Sequence, residues 1–175
     1  MSRNIEIKAQ LSYQQYQSAI DLAEELAGKV AQELLQTDTF FNVPDNRLKL
    51  REFADSNAEL IAYAREDCED PVASKYFRTT IGQPDQLIDG LALTLGVRGI
   101  VKKKRLLFLV GQTRIHLDDV DQLGHFLELE VVLEDQQTDA YGIQIADGLL
   151  DRLGVDKGQL VSAAYIDLLE AEMAN

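Results

Sequence analysis

The sequence is poor in several residue types, and each shortage excludes a class of protein. Its 175 residues include one cysteine, three prolines and no tryptophan. With Cys68 alone, one chain can form neither a disulfide framework nor a thiolate metal site. Carboxylates surround this cysteine in residues 66–70 and disfavour its thiolate, which argues against a nucleophilic role. No apolar run approaches the ~20 residues of a membrane span and the start lacks a signal pattern, so we expect a cytoplasmic protein.

Positive charge is also scarce, and its placement is informative. Lysine and arginine number 17 against 30 aspartates and glutamates, which gives a net charge of −13. The segments 12–33 and 134–175, both predicted to be helical, are strongly acidic, and an acidic exterior argues against duplex nucleic acid as a partner. Many of the cations instead fall within predicted strands, which favours an enclosed site for a small polyanion. These strand cations are Lys8, Arg47, Lys49, Arg51, Arg65, Lys103, Arg105 and Arg114.

The stretch 99–133 shows the alternation most clearly. It predicts three strands, Ile100–Val110, Gln112–Asp118 and Phe126–Val132, because polar and apolar residues alternate with a period of two. Each strand carries charge on one face only. The charged or polar faces hold Lys103 and Arg105; Gln112, Arg114, His116 and Asp118; and Glu128 and Glu130. A solvated sheet face is the simplest explanation of this stretch alone, but the same pattern recurs elsewhere in the chain.

The remaining segments predict one α+β domain over residues 1–175. A helix is expected between Ser12 and Gly28, and further helices over 84–95, 137–153 and 161–174. The other predicted strands are Asn4–Gln10, Leu34–Val43, Arg47–Phe53, Glu59–Arg65 and Lys75–Thr80. The sequence does not assign the two faces of the last strand, Lys75–Thr80, because Lys75 and Arg78 point to opposite sides. About eight strands joined mostly by short turns indicate an antiparallel sheet able to close into a barrel or tunnel, with the helices outside.

Such a tunnel has the right charges for a triphosphate. Arginine and lysine side chains from different strands supply charge-assisted hydrogen bonds to phosphate oxygens. Carboxylates beside them would repel that anion unless Mg²⁺ or Mn²⁺ lay between. The candidate metal ligands are Glu6, Asp118, Glu128 and Glu130. The alternative is that these charges neutralise one another in a polar interior, but at least seven cations face four carboxylates, and an anion would balance the excess.

Four stretches together resemble the CYTH superfamily of triphosphate tunnel metalloenzymes, in the branch of class IV adenylyl cyclases. They are IEIKA (5–9), TDTFFNVPDNRLKLRE (37–52), KKRLLFLVGQTRIHLD (103–118) and LGHFLELEVVL (123–133). The resemblance covers most of residues 3–133. It implies eight antiparallel strands closed into a triphosphate tunnel, with helices packed outside.

The resemblance also implies roles for individual residues. Glu6 and Lys8 match the second glutamate and the lysine of the Glu-x-Glu-x-Lys signature, whereas Asn4 stands where the family has the first glutamate. The implied triphosphate ligands are Lys8, Lys49, Arg51, Arg65, Lys103, Arg105 and Arg114. The implied ligands of Mg²⁺ or Mn²⁺ are Glu6, Asp118, Glu128 and Glu130. We assign catalysis to Lys8, Arg105 and Glu6.

The expected function is that of a metal-dependent enzyme on a triphosphate. The most specific expectation is an adenylyl cyclase-like lyase that converts ATP to cyclic AMP and pyrophosphate. The alternatives are a triphosphatase for thiamine or inorganic triphosphate, and a non-catalytic nucleotide- or polyphosphate-binding module. The partner is then a small-molecule triphosphate, with no nucleic acid and no membrane, and a homodimer is one option for the oligomeric state. His116 is either a substrate-polarising group or a satisfied strand histidine.

Overall fold

The computed structural model describes residues 3–64 and 76–174, and strands and helices follow one another there as the sequence predicts. Within these ranges the chain forms eight strands, four α-helices and one short 3-10 helix. In chain order they are β1 (Arg3–Leu11), α1 (Tyr13–Ala27), β2 (Gln32–Phe41), β3 (Arg47–Phe53), β4 (Ala58–Tyr63), β5 (Tyr76–Ile81), α2 (Pro84–Leu95), β6 (Val97–Val110), β7 (Thr113–Val120), β8 (Gly124–Leu133), α3 (Asp139–Arg152), the 3-10 helix (Lys157–Gln159) and α4 (Tyr165–Met173).

Hydrogen bonds join the strands into one sheet in the order β1-β8-β7-β6-β2-β3-β4-β5. The pairs β1–β8, β7–β8, β2–β3, β3–β4 and β4–β5 run antiparallel. The predicted α+β class with an eight-stranded antiparallel sheet is therefore confirmed. The described chain forms two compact units: the first comprises 3–33 and 104–162, the second 34–64, 76–103 and 163–174. The single domain over residues 1–175 stays a prediction.

The core of the first unit lies between one face of β1, β7 and β8 and the helices α1 and α3. Ile115 and Leu117 of β7 and Leu127 and Leu129 of β8 are fully buried there. Because successive strand residues point to opposite faces, the charged residues between them lie on the other face. The helices contribute Tyr16, Ala19, Ala23, Ala146, Leu149 and Leu150.

Helix α1 has the predicted start and stop. Ser12 accepts a hydrogen bond from the backbone N–H of Gln15, whose side chain accepts one from the N–H of Ser12, which is a capping box. Gly28 ends the helix with φ of +67°, a left-handed conformation that glycine adopts without strain. None of the helices in the described part of the chain is long and apolar enough to span a lipid bilayer.

A glycine lets α3 approach the strands closely. A Cβ atom added at Gly142 would lie 2.6 Å from Cγ1 of Ile5 and 2.8 Å from Cδ2 of Leu133. Real Cβ atoms essentially never make contacts this short, so a larger residue here would force the side chains of Ile5 and Leu133, or the helix itself, to shift. Helix α3 is thereby seated directly on the apolar face of β1 and β8.

The second unit has a smaller core. Phe41 of β2 and Leu50 of β3 are buried with Ala58 of β4. Helix α2 covers them with Leu87 and Leu91, which lie one turn apart on the same side of that helix.

Helix α4 begins four residues later than the sequence predicts. Instead of starting the helix, Val161 donates its backbone N–H to the carbonyl of Lys8 at 2.8 Å. Leu160 forms an isolated antiparallel bridge with Ala9. These long-range bonds hold the segment extended against β1, and they depend on a partner that the local helical pattern does not reveal.

Candidate active site

Charged side chains of both signs lie on the face of the first unit's strands opposite its core, and we call them the mixed cluster. The register of the sheet brings them together, since Glu6 and Lys8 of β1 lie opposite Glu130 and Glu128 of β8. Strand β7 flanks β8 on its other side. The members of the mixed cluster are Glu6, Lys8, Arg105, Arg114, His116, Asp118, Glu128 and Glu130.

Arg105 is fixed by Asp118. Its Nε and Nη2 donate to the two carboxylate oxygens of Asp118 at 2.7 and 2.6 Å. Both residues are buried, and paired, parallel hydrogen bonds of this kind define the orientation of a guanidinium. Asp118, a candidate metal ligand from the sequence, is thus engaged with Arg105 in this structure.

Glu128 is held in its ionised form. It accepts hydrogen bonds from His116 Nδ1 at 3.2 Å and, more weakly, from Arg105 Nη2 at 3.4 Å. Burial alone would raise the pKa of Glu128, but the charge of Arg105 and the hydrogen bond from His116 hold it well below its usual range. His116 therefore has a hydrogen-bond partner in the structure. This agrees with the satisfied strand histidine, one of the two alternatives that the sequence left open.

Glu6 is the member of the mixed cluster whose ionised form is disfavoured by its surroundings. Solvent reaches part of its side chain, yet the surrounding protein atoms remove much of its hydration. This desolvation, followed by the charges of Glu128 and Glu130, raises the pKa of Glu6 from 4.5 to about 7. Lys8 and Arg105 oppose the shift only in part. A cation placed beside Glu6 would favour its ionised form.

Lys8 lies in the same electrostatic environment. Burial lowers its pKa, and Arg105 adds to this, although Glu128, Asp118 and Glu6 oppose the shift. The ammonium group is thus a poorly hydrated cation among carboxylates.

Asn4 occupies the signature position and contacts a predicted metal ligand. Its Nδ2 donates to Glu130 Oε1 at 2.6 Å, and Arg114 Nη1 donates to the same oxygen at 2.9 Å. The other amide atom of Asn4, Oδ1, is buried without a hydrogen-bond partner. Buried polar atoms are normally paired, so this oxygen is an available ligand for a cation.

The donor atoms of the mixed cluster fit Mg²⁺ or Mn²⁺ in kind. Carboxylate and amide oxygens are the ligands that these hard cations prefer. The raised pKa of Glu6 and the unpartnered Oδ1 of Asn4 are the two observations that a divalent cation would relieve. Across residues 3–64 and 76–174, however, no three His, Cys, Asp or Glu side chains are gathered into a ready-made metal site.

The second unit contains the basic cluster, formed by Lys49, Arg51 and Lys103 around Asp38. Lys49 Nζ and Lys103 Nζ donate to Asp38 Oδ2 at 2.8 and 3.2 Å. Arg51 donates through Nε and Nη2 to both oxygens, each at 2.7 Å. Burial alone would raise the pKa of Asp38, but the charges of Lys103, Lys49 and Arg51 hold it well below its usual range. One ionised carboxylate therefore faces three cations.

The sequence-based site did not include Asp38, although the sequence carries a signal for it. It is the only charged residue between Glu33 and Asp45, in a strand of threonine and phenylalanine. A carboxylate in such a strand is rarely buried unless it is paired. The hairpin register supplies the pair directly, since Asp38 lies opposite Arg51.

Arg65, a predicted triphosphate ligand, and Lys75 lie outside the described residues. Arg78 is on β5 and largely exposed, with its Nε 3.8 Å from Glu59.

A second ion network in the same unit attaches α4, and the sequence did not predict it. Arg47 Nη2 donates to both oxygens of Asp167, at 2.9 and 2.7 Å. Arg98 donates to Glu170 through Nε and Nη2, each at 2.7 Å, and to Asp167 at 3.0 Å. The hydrogen bonds that Arg98 donates to Glu170 and Asp167 raise its pKa. The charges of these two arginines are thus matched by two carboxylates of α4.

Comparisons with known proteins agree on the fold. The model of the CYTH domain matches residues 2–165. Among solved structures, the PH1012 protein from Pyrococcus horikoshii OT3 superposes with a TM-score of 0.81 at 21% identity, covering 94% of this chain and 98% of that one. A candidate adenylate cyclase from Vibrio parahaemolyticus gives 0.71 at 19% identity, covering 96% and 98%. A candidate adenylyl cyclase from Hippeastrum with a dominant triphosphatase activity gives 0.69 at 15%, covering 98% and 96%. A search of curated proteins finds no significant match.

Proposed function

Because the chain belongs to the CYTH family, we propose that it is a metal-dependent enzyme acting on a nucleoside triphosphate, most specifically an adenylyl cyclase-like lyase. The mixed cluster carries this proposal. There, Asp118 holds Arg105 in a fixed orientation beside carboxylates whose mutual repulsion a divalent cation would relieve. This combination suits a polyphosphate bound together with a metal.

In the proposed reaction, the ribose 3′-hydroxyl oxygen of ATP forms a bond to the α-phosphorus. The bond from the α-phosphorus to the bridging oxygen breaks, pyrophosphate leaves, and the hydroxyl proton is lost to solvent. Such chemistry needs mainly alignment of the reacting atoms and neutralisation of phosphate charge.

The proposed roles follow the charges. Lys8, Arg105 and Arg114 of the mixed cluster bind phosphate oxygens. Glu6, Glu128 and Glu130 hold the Mg²⁺ or Mn²⁺, which supplies further neutralisation when bound. Asp118 orients Arg105 in addition to its sequence-predicted role as a metal ligand. In the basic cluster Lys49, Arg51 and Lys103 are phosphate ligands, and Arg65 is a further one from the sequence.

Triphosphate hydrolysis is the second candidate. One solved structure of the same fold is that of a candidate cyclase with a dominant triphosphatase activity. In that reaction the oxygen of water forms a bond to the terminal phosphorus, the bond from this phosphorus to the bridging oxygen breaks, and the diphosphate leaves while a proton is lost to solvent. The same cations would bind the polyphosphate.

The deciding experiment is incubation with ATP and Mg²⁺ or Mn²⁺, with inorganic triphosphate run in parallel. Cyclic AMP and pyrophosphate are the expected products. ADP and phosphate, with equal turnover of inorganic triphosphate, would identify a triphosphatase instead. Tight binding without turnover would identify a binding module, and neither binding nor turnover would refute the proposal.

A matched pair of lysines locates the activity. Lys8→Ala should abolish turnover, because it removes a half-buried cation from the mixed cluster. Lys157→Ala should leave turnover intact, since Lys157 is an exposed lysine of the same unit paired with Asp147. Equal activity of the two variants would place the reaction elsewhere.

A further inference from the structure

A cavity lies at the turn between β2 and β3 in the second unit, and the roles proposed above do not use it. Its volume is about 160 Å³. This volume is about that of a closed cavity that holds one benzene molecule, so the size suits one planar ring, although this cavity is partly open to solvent and its accessible lining is mainly polar. Phe40, Phe41 and Leu48 supply apolar wall, and Asn42, Asn46, Arg47 and Arg98 supply polar groups. We call it the ring cavity.

The two amides give the ring cavity unused hydrogen-bonding capacity. Both Asn42 and Asn46 are exposed at the mouth of the ring cavity, and neither side chain makes a hydrogen bond to the described part of the chain. A side-chain amide offers both a donor and an acceptor. The edge of a nitrogen heterocycle offers the complementary groups, whereas a phosphate offers acceptors only.

The two arginines do not turn the ring cavity into an anion site. Arg47 is paired with Asp167, and Arg98 with both Asp167 and Glu170. An anion would have to displace these carboxylates of α4. The polar lining is therefore close to neutral in charge, which favours an uncharged polar ring over a phosphate.

The ring cavity adjoins the basic cluster. Phe40 lines the cavity and lies opposite Lys49 in the β2–β3 hairpin. The ammonium of Lys49 is 5.3 Å from the centre of the Phe40 ring. A triphosphate held by Lys49, Arg51 and Lys103 would thus have its organic end within reach of the cavity.

We propose that the ring cavity binds the planar nitrogen heterocycle attached to the triphosphate, with Asn42 and Asn46 as the residues that recognise its edge. This inference rests on the proposed function, because it assumes a triphosphate substrate. It assigns the choice of organic group to the β2–β3 turn, and phosphate affinity to the cations.

The test compares ATP with inorganic triphosphate by calorimetric titration in EDTA, which prevents metal-dependent turnover. Asn42→Leu removes one amide, and Asn46→Gly removes the other at a residue with φ of +63°, which glycine tolerates. Each variant should weaken ATP binding about tenfold while leaving the affinity for inorganic triphosphate unchanged. Thiamine triphosphate, titrated in parallel, shows whether a base or another heterocycle is preferred.

A volume change provides a second variant. Val43→Phe fills the ring cavity that Val43 lines, and should also reduce the ATP preference. Its control, Val30→Phe, adds the same ring at a residue that is 71% exposed in the first unit.

The outcomes separate the two proposals. An unaltered ATP preference in all three cavity variants, an equal loss of both ligands, or a parent chain that binds ATP no better than triphosphate would overturn the ring-cavity assignment alone. A parent chain that binds neither ligand in EDTA, and neither binds nor turns over either ligand when Mg²⁺ is supplied, would overturn the proposed function as well.

Discussion

The mixed cluster and the basic cluster use the same residue types in opposite proportions. Four carboxylates share the mixed cluster with three Lys or Arg side chains, whereas a single carboxylate faces three cations in the basic cluster. Desolvation and neighbouring carboxylates raise the pKa of Glu6 to about 7, while three cations depress that of Asp38. The direction of each pKa shift indicates which added ion would be electrostatically favourable: a cation at the mixed cluster and an anion at the basic cluster.

The largest expected effect comes from removing the single negative charge of the basic cluster. Asp38→Asn leaves three cations without their counter-ion, and breaking a buried ion pair on one side costs about 3–5 kcal/mol of the free energy of unfolding. Urea unfolding measures this loss, and inorganic triphosphate should restore part of it by supplying an anion. Asp45→Asn, at an exposed turn, is the control and should change stability little. A fully stable Asp38→Asn variant would show that the cations do not depend on Asp38.

The next effect concerns ligand affinity. Arg51→Ala keeps Asp38 paired with Lys49 and Lys103 but removes the two guanidinium donors, Nε and Nη2, of Arg51. Affinity for inorganic triphosphate should fall by about 1.5–3 kcal/mol, the range for hydrogen bonds to charged groups, as measured by calorimetric titration. Arg78→Ala removes an exposed arginine of the same unit and should have little effect. Equal affinities of the two variants would remove the basic cluster from the binding site.

The two clusters should also respond oppositely to pH. Between pH 4.5 and about 7 the folded chain keeps a proton on Glu6 that the unfolded chain has released, so stability should fall as pH rises through this window. The depressed pKa of Asp38 acts in the other direction, because its contribution is lost only as pH falls below 3.8. Thermal unfolding across the window should show the decline, and Glu6→Gln should flatten it. Glu25→Gln, an exposed carboxylate on α1, should keep the slope of the parent.

The smallest effect is expected at Asn4. Asn4→Glu adds the carboxylate of the family signature, and affinity for hard cations rises with ligand charge. Titration with Mn²⁺ in the absence of triphosphate should show tighter binding than in the parent chain. Asn57→Glu, at an exposed turn, is the control for added charge. If Mn²⁺ affinity does not change, position 4 does not contribute to a metal site.

Most of the fold could be predicted because its signals are local. Strand β3 and helix α2 have the predicted bounds, since turn residues, Pro84 and Gly96 mark their ends. The face assignments of β7 and β8 are likewise confirmed by the burial of Ile115 and Leu129. The start of α4 was wrong because residues 160–161 bond to β1, more than 140 positions earlier in the chain.

The candidate site was predictable in composition but not in pairing. Alternation identified Arg105 and Glu128 as members of a charged face. The alternation could not show that Asp118 pairs with Arg105 or that Asp38 binds three cations. Such ion pairs depend on strand register and on side-chain rotamers. The cytoplasmic location, the oligomeric state and the roles of the site residues stay predictions.

The close seating of α3 at Gly142 has a consequence for sequence variation. The strands that carry Asn4, Glu6 and Glu130 on one face are packed on the other face by α3, which leaves no free space for a Cβ at this point. A Gly142→Ala allele would alter no charge and no residue of either cluster, yet it would shift the support on which the charged face rests. A survey of variants restricted to charged positions would overlook it. The tolerance of such a site to substitution depends on the apolar face behind the strands as much as on the charged residues in front of them.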